Sequence, residues 1–429
     1  MFSQELCNFG FMVQEFRNNL LTNFPELIDG KSLLAISGGV DSVVAAYLMH
    51  QAQLNFALAH CNFQLRGEES LKDEYFVKDL GLALGIEVHS IRFETEGFAK
   101  NNKLSTQLAA RELRYKWFEE LRTKEDYNYL ITAHHLDDSL ETFLINFTRG
   151  TGIEGLLGIP SKQSWIRRPL GHFSRKDIET FALENELHWR EDLSNASDKY
   201  LRNKIRHQIV PKLKEINPSL AQSFSDTLSH LSHSKALSDA YLKEKELELK
   251  KPHEHYADLS LYPCEKLDNE ALLYGLFNKF GFHNVHDLMN LTKTQSGKFL
   301  ENENFKLVKD REVLILQDKN KPYFSPKFEI LVSNEHTGDK EVFLTKELLN
   351  QNLHVRNWKN GDYFYPESSN GKKKLSAYFR DNKISIIEKQ RIQLLCTDED
   401  IVWIIGDRRD QRYIGKNKEE QIRITLIEK

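Results

Sequence analysis

At 429 residues the chain exceeds one ordinary core, and about 150 residues per domain points to two or three domains. It is 40% hydrophobic and 28% charged, as soluble globular chains are, and no run approaches the ~20 apolar residues of a membrane span. The formal charge of −4 is uneven: Leu353 to Lys429 carries 16 Lys and Arg against 12 Asp and Glu, so the remainder is acidic. Within that remainder "KYLRNKIRHQIVPKLK", Lys199 to Lys214, holds six basic residues and no acid, either a solvated helix face or a seat for a polyanion.

The opening 24 residues mix charge into an apolar periodicity and read as an amphipathic helix rather than an export signal. Cys7, Cys61, Cys264 and Cys396 have no close spacing, which argues against a disulfide framework or a zinc knuckle and fits the cytoplasm. Four short apolar runs then alternate with helical patterns. "SLLAI", "NFALAHCNF", "GIEVHSIRF" and "YNYLITAHH" read as strands; Asp41 to Gln51, Glu69 to Leu84, Leu104 to Arg122 and Ser139 to Thr148 read as helices. Strict alternation predicts an α/β fold, a parallel sheet covered by helices, over residues 1–216. From about Asn217 helices dominate, with one hairpin from Lys298 to Gln317, giving a mainly helical domain over 217–325. Residues 326–429 read as a small α+β domain.

The chemistry gathers around "LLAISGGVDSVVAAYLM", Leu33 to Met49. Gly38 and Gly39 can adopt positive φ and open the backbone to an anion, while a helix beginning near Asp41 aims its dipole there. Ser37 and Ser42 add hydroxyls. Neither the Walker lysine nor a dinucleotide fingerprint is present. A plain βα turn capped by Asp41 is the competing reading. An aspartate beside a phosphate makes sense with a divalent cation between them, and other polar groups end neighbouring strands: His60 and Asn62, then His134, His135, Asp137 and Asp138. Adjacent histidines at a strand end point to opposite faces, so at most one meets the pocket. Asp138-x-x-Glu141 reads as a capping box for the following helix. On the helix carrying "AARELRYKWF", Ala109, Leu113, Trp117 and Leu121 form the buried stripe, leaving Arg111 off it.

"SGGVDS" resembles the pyrophosphate loop of the N-type ATP pyrophosphatases. "HCNFQLRGEES", "AARELRYKWF", "TAHHLDDSLETFLINFTRGTGIEGLLGIP", "RRPL", "DLSNASDKYLRNKIRHQIVP" and, near the C-terminus, "VRNWKNGDYFYP" and "VWIIGDRRDQRY" resemble the blocks of the tRNA(Ile)-lysidine synthetases over nearly the whole chain. Ser139 departs from the glutamine more usual there. The resemblance implies ATP and Mg²⁺ as cofactors, and adenylation of the wobble cytidine of the isoleucine tRNA with a CAU anticodon. Free L-lysine then displaces AMP, so that AUA is read instead of AUG. It implies Ser37, Gly38, Gly39, Val40, Asp41, Ser42 and His60 for the nucleotide, and Asp41 and Asp137 for the metal. Asp41, Asp137, Arg111 and Arg202 would be catalytic. Asn62, Arg66, Lys199, Lys204, Arg206, Lys372, Lys373 and Lys374 would serve the tRNA, and both last domains would bind it. No membrane partner is expected, and a homodimer is left open. The alternatives are a tRNA thiolation enzyme of the same superfamily, for which the lone Cys61 is poorly suited, or a non-catalytic nucleotide- or RNA-binding module.

Overall fold

A computed structural model describes residues 2–191, 201–253, 256–321, 328–332, 340–367, 371–415, 417 and 421–428. The chain divides into two compact units, Met1–Ser238 and Asp239–Lys429.

The first unit opens with α1 (Phe2–Asn23) and α2 (Glu26–Asp29), then alternates β1 (Ser32–Ala35), α3 (Val40–Gln51), β2 (Phe56–Asn62), α4 (Glu68–Leu84) and β3 (Val88–Arg92). It continues through α5 (Thr95–Asn101), α6 (Thr106–Lys124), β4 (Tyr129–Ile131), α7 (Leu136–Arg149), α8 (Ile153–Leu156), β5 (Lys162–Gln163), β6 (Ile166–Arg167) and α9 (Arg175–Glu184). The strands form one sheet in the order β3-β2-β1-β4-β6-β5, parallel except where β5 returns against β6. The chain steps from β1 outward to β2 and β3, then back to β4 on the other side of β1. That reversal opens a crevice at the carboxyl ends of β1 and β4, where open parallel sheets bind ligands.

Alternation along each strand sorts the core into two layers. Leu34 faces the layer built from Met12, Phe16 and Leu20 of α1, Phe24 just after it, Val43 and Val44 of α3, and Ile178 and Phe181 of α9. Leu33 faces the opposite layer with Phe118 and Leu121 of α6, Tyr127 and Leu130.

α10 (Leu201–Lys204) runs through a π-helical turn, Ile205–Ile209, into α11 (Val210–Ile216). Pro211 has no N–H to give to the carbonyl four residues back, and the backbone widens ahead of it, with the Val210 amide reaching Ile205 O. The unit boundary falls inside α12 (Leu220–Leu249).

In the second unit α13 (Glu270–Phe277) and α14 (Val285–Lys293) pack on a five-stranded antiparallel sheet. Its strands are β7 (Lys251–Pro252), β8 (Leu259–Pro263), β9 (Phe299–Glu301), β10 (Phe305–Asp310) and β11 (Val313–Asp318), in the order β7-β8-β11-β10-β9. The expected hairpin is β10 and β11; the strands on either side of it join a sheet that local periodicity did not reveal. Beyond it, β12 (Phe328–Val332) and β13 (Lys340–Thr345) flank the last strand of the chain. Next come β14 (His354–Asn357), β15 (Tyr363–Phe364), β16 (Lys373–Lys374), α15 (Leu375–Asp381), α16 (Ile386–Arg391), β17 (Gln393–Cys396), β18 (Ile401–Ile404) and that last strand, β19 (Gln421–Glu428). All these pairings are antiparallel. A buried ion pair, Arg391 Nη1 to Asp258 Oδ1 at 2.8 Å, ties α16 to the start of β8.

In the first unit, α4 is held to the sheet by Glu74. Its carboxylate accepts Arg92 Nε at 2.7 Å, Asn62 Nδ2 at 2.9 Å and Lys78 Nζ at 2.7 Å. The Arg92 hydrogen bond leads in holding the Glu74 carboxyl down at about 2. A lowered folded-state pKa stabilises above the unfolded value near 4.5 and is lost as pH falls toward 2. Glu74→Gln is expected to cost about 1–2 kcal/mol at pH 7, screening by solvent at Arg92 and Lys78 included. The difference should shrink in urea titrations between pH 5 and pH 3.5; a gap that stays constant with pH would contradict it.

Candidate active site

The glycine loop leaves β1 with Gly38 at φ +92°, where a Cβ would stand 3.4 Å from the Phe76 ring. Gly39 takes an ordinary extended conformation, φ −74°, and is the residue before α3, so only one of the two glycines uses the left-handed region. The helix starts at Val40, which places Asp41 inside its first turn rather than at the cap. Ser42 Oγ donates to Gly39 O at 2.9 Å, and the Gly39 amide donates to Ser37 Oγ at 3.3 Å, which fixes the loop. The Arg190 amide bonds Gly38 O at 2.9 Å and closes the loop from outside. The Val40 and Asp41 amides, in the first turn, have no carbonyl four residues back within the helix and face the crevice with the helix dipole behind them.

Two cavities flank this loop. The larger, about 1090 Å³, is lined by Ser37, Gly39, Val40 and Asp41 from the loop, by His135, Asp137 and Glu141 of α7 and its cap, by Arg175 and Glu179 of α9, and by Arg206 and Lys214. The smaller, about 400 Å³, lies on the α6 side of the sheet among Ser37, Asp41, Ser42, Cys61, Phe63, Arg114, Tyr115, Thr132 and His134. The two histidines part as strand alternation requires, yet each meets a cavity: His134 the smaller, His135 the larger. Burial pushes the His134 imidazole down to about 4, so it is neutral at pH 7.

The carboxylates of the larger cavity are balanced by cations from distant segments. Arg175 Nη1 meets both oxygens of Asp41, at 2.7 and 2.6 Å, while the Arg175 amide donates to Asp137 Oδ2 at 2.8 Å. Lys214 Nζ donates to Asp137 Oδ1 at 2.6 Å. Burial pushes the Asp41 carboxyl up, against His135 and Arg175; for Asp137 the Arg175 amide and Lys214 outweigh burial and the net shift is down. The two carboxylates expected to hold a metal therefore share one wall and one arginine. A hard divalent cation fits such an oxygen pair, completed by phosphate oxygens. Among the described residues no three His, Cys, Asp or Glu side chains converge as a ready-made metal cage.

Glu141, 2% exposed, accepts Arg202 Nε at 2.7 Å and Arg206 Nε at 2.5 Å, and Asp138 Oδ1 accepts both guanidiniums at 3.0 and 3.2 Å. The capping box exists three residues earlier than the spacing suggested: His135 caps α7 and Asp138 closes the box, because the helix begins at Leu136. Glu141 is thereby released from capping and becomes the anchor of the basic helix. Arg66 reaches the same cavity through Asp73, with Arg66 Nη2 to Asp73 Oδ2 at 2.7 Å and Arg190 on the other oxygen at 3.0 Å.

Several expected residues lie elsewhere. His60 and Asn62 sit on the opposite sheet face from Cys61 and line neither cavity. His60 Nδ1 bonds Ile36 O at 3.0 Å, and Asn62 spends its amide on Glu74 and Ser70 O. Arg111 lies on the exposed side of α6, one turn before Tyr115 and stacked over its ring at 4.8 Å, outside both cavity walls. Lys204 is exposed and lines neither cavity. Lys199 lies outside the described residues. Lys372, Lys373 and Lys374 belong to the second unit, where Lys372 stacks over Tyr363 at 5.0 Å and Lys373 pairs with Asp381 at 2.8 Å. Sequence reasoning missed Arg175, Asp73 and Arg190, and it had Lys214 only as the end of a basic run, not as the partner of Asp137. The one local signal was Ser174-x-x-Asp177, a capping box that marks Arg175 as the first residue of a helix.

Family models match along the chain: a PP-loop domain over residues 12–213, a TilS substrate binding domain over 253–320 and a TilS substrate C-terminal domain over 353–426. Curated relatives named tRNA(Ile)-lysidine synthase are 37% identical in Bacteroides thetaiotaomicron, covering 90% of this chain and 93% of the relative. In Parabacteroides distasonis the figure is 35%, over 90% and 92%. The chain belongs to the tRNA(Ile)-lysidine synthase family. Among solved structures it is similar to the U34-tRNA thiolase NcsA from Methanococcus maripaludis, at 20% identity and a TM-score of 0.43 over 52% of this chain and 79% of that one, too slight to bear on activity. No helix among the described residues is long and apolar enough to cross a membrane.

Two expectations follow for this family member. Gly38→Ala forces a Cβ into a left-handed conformation at a cost of about 1 kcal/mol or more, and should weaken ATP binding in a fluorescence titration while the fold persists by circular dichroism. Burial pushes the Cys61 thiol up to about 12, so the native chain should resist iodoacetamide at Cys61 at pH 8 and react fully once unfolded. Rapid native labelling would restore the thiolation reading.

Proposed function

We propose that this chain is an ATP-dependent ligase that joins free lysine to C2 of the wobble cytidine of the isoleucine tRNA with a CAU anticodon. The observation that carries this reading is one cavity in which the SGGVDS loop, the start of α3, the Asp41–Asp137 pair and the Arg206–Glu141 wall meet, in a chain with lysidine-synthase relatives along its length.

In the first step the cytosine O2 attacks the α-phosphorus of ATP, the bond to the bridging oxygen breaks, and pyrophosphate leaves. The Val40 and Asp41 amides and the Ser37 hydroxyl receive the departing oxygens at the start of α3. A Mg²⁺ held by Asp41 and Asp137 would neutralise charge on that leaving group. In the second step the neutral ε-amine of lysine attacks C2, the C2–O bond breaks, and AMP leaves with the oxygen. The attacking nitrogen gives up one proton to a base or to water. With Asp73, Glu141 and Glu179 already held by arginines, Glu191 and Glu215 are the further carboxylates of the larger cavity suited to a cationic amino acid. Arg202 and Arg206, held rigid by Glu141, present a guanidinium face to a polyanion. The exposed Lys204 and the Lys372–Lys374 stretch supply sequence-independent backbone contacts. The organisation 1–216, 217–325 and 326–429, a cytoplasmic location and action on tRNA by the last two parts belong to the same reading.

Pyrophosphate release from ATP by the full chain is the test. Release should require a CAU-anticodon isoleucine tRNA transcript, and turnover beyond one equivalent should require lysine. Release without tRNA would overturn the reading.

A further inference from the structure

The contact between Arg175 and Asp41 is unlike an ordinary arginine fork. A single nitrogen, Nη1, stands 2.7 and 2.6 Å from the two carboxylate oxygens, between them, where a cation chelated by both would also stand. The amide of the same residue holds Asp137 Oδ2 at 2.8 Å, so one residue at the start of α9 engages both Asp41 and Asp137. Its guanidinium has a second anchor: Arg175 Nε donates to Glu179 Oε1 at 2.6 Å, one turn along α9. Glu179 lines the same cavity.

We propose that Arg175 is a displaceable counter-cation that competes with a divalent metal for Asp41, so that metal enters this site together with a polyphosphate rather than ahead of it. The inference rests on the reading of Asp41 as a metal ligand in a nucleotide site. Nη1 occupies both oxygens of Asp41, and a divalent cation bound to them would repel the guanidinium, so metal binding would displace Nη1. Glu179 keeps the expelled guanidinium inside the cavity by its Nε. Its freed nitrogens then find a new partner in phosphate oxygens, the one anionic group that arrives with the metal. Without a phosphate, expulsion leaves the arginine half-partnered and metal binding is suppressed. Arg175 is thus a positioning residue for the metal site. The amide contact to Asp137 belongs to the backbone and survives any substitution of the side chain.

The test uses Mn²⁺ alone, followed by the loss of the free-ion EPR signal on titration into the full-length chain without tRNA, lysine or nucleotide. Arg175→Gln should bind Mn²⁺ about two- to five-fold more tightly than the unsubstituted chain, the weight of one partly exposed ion pair. Arg175→Lys, which keeps the charge, should not gain. The double variant Asp41→Asn with Arg175→Gln should lose the gain. Because a loosened chain can expose carboxylates that bind Mn²⁺, an unchanged far-UV spectrum with a melting point within a few degrees certifies the single variant. Equal Mn²⁺ affinity in Arg175→Gln and the unsubstituted chain, or a gain that survives loss of the Asp41 carboxylate, would overturn the proposal. No substrate enters the assay, so failure of the lysidine reading in pyrophosphate release is separately visible.

Discussion

The first unit depends on balancing partly desolvated carboxylates at the carboxyl ends of β1 and β4. Asp41, Asp137, Asp138 and Glu141 are brought together by the start of two helices, and like charges at that density need compensation. The chain supplies it from far away in sequence: Arg175 from α9, Arg202 and Arg206 from the basic helix and Lys214 from α11. Those pairs add to the apolar packing that seats these segments, Ile178 and Phe181 of α9 in the main core and Ile205 and Val210 against Leu136 and Leu140 of α7. Arg175, Arg206 and Lys214 line the larger cavity beside the Asp41, Asp137 and Glu141 carboxylates that they neutralise.

The same balance makes the site responsive. Glu141 is almost fully buried and doubly held, so Arg202 and Arg206 form a rigid face. Arg175 and Lys214 are about as exposed as Arg202 and Arg206, but each grips an acid that the reading assigns to another cation. The acids differ: breaking the pairs on Glu141 strands an almost fully buried charge, whereas the less buried Asp41 can exchange one cation for another at smaller cost. A polyanion entering the cavity can recruit Arg175 without disturbing Glu141.

The second unit shows the limit of local pattern. α13 and α14 follow their apolar periodicity, and their asparagine caps, Asn269 and Asn284, were readable. β7 and β9 are two and three residues long and mostly exposed; only pairing with β8 and β10 makes them strands. The Arg391–Asp258 pair joins residues on opposite sides of a long stretch of chain, which no spacing rule anticipates.

Residues adjacent in the chain carried most of what sequence alone could decide. Alternating strands and helices determined the parallel sheet, and SGGVDS following a buried strand determined a glycine loop leading into a helix start, because backbone sterics act within a few residues. Tertiary structure decided which polar strand ends share the cavity. Alternation sends His60 and Asn62 to one sheet face and Cys61 to the other, and the helix start at Leu136 converts Glu141 from a cap into an anchor. It also decided the partners of Asp41 and Asp137, since electrostatic compensation acts through space and is indifferent to the 134 residues that separate Asp41 from Arg175.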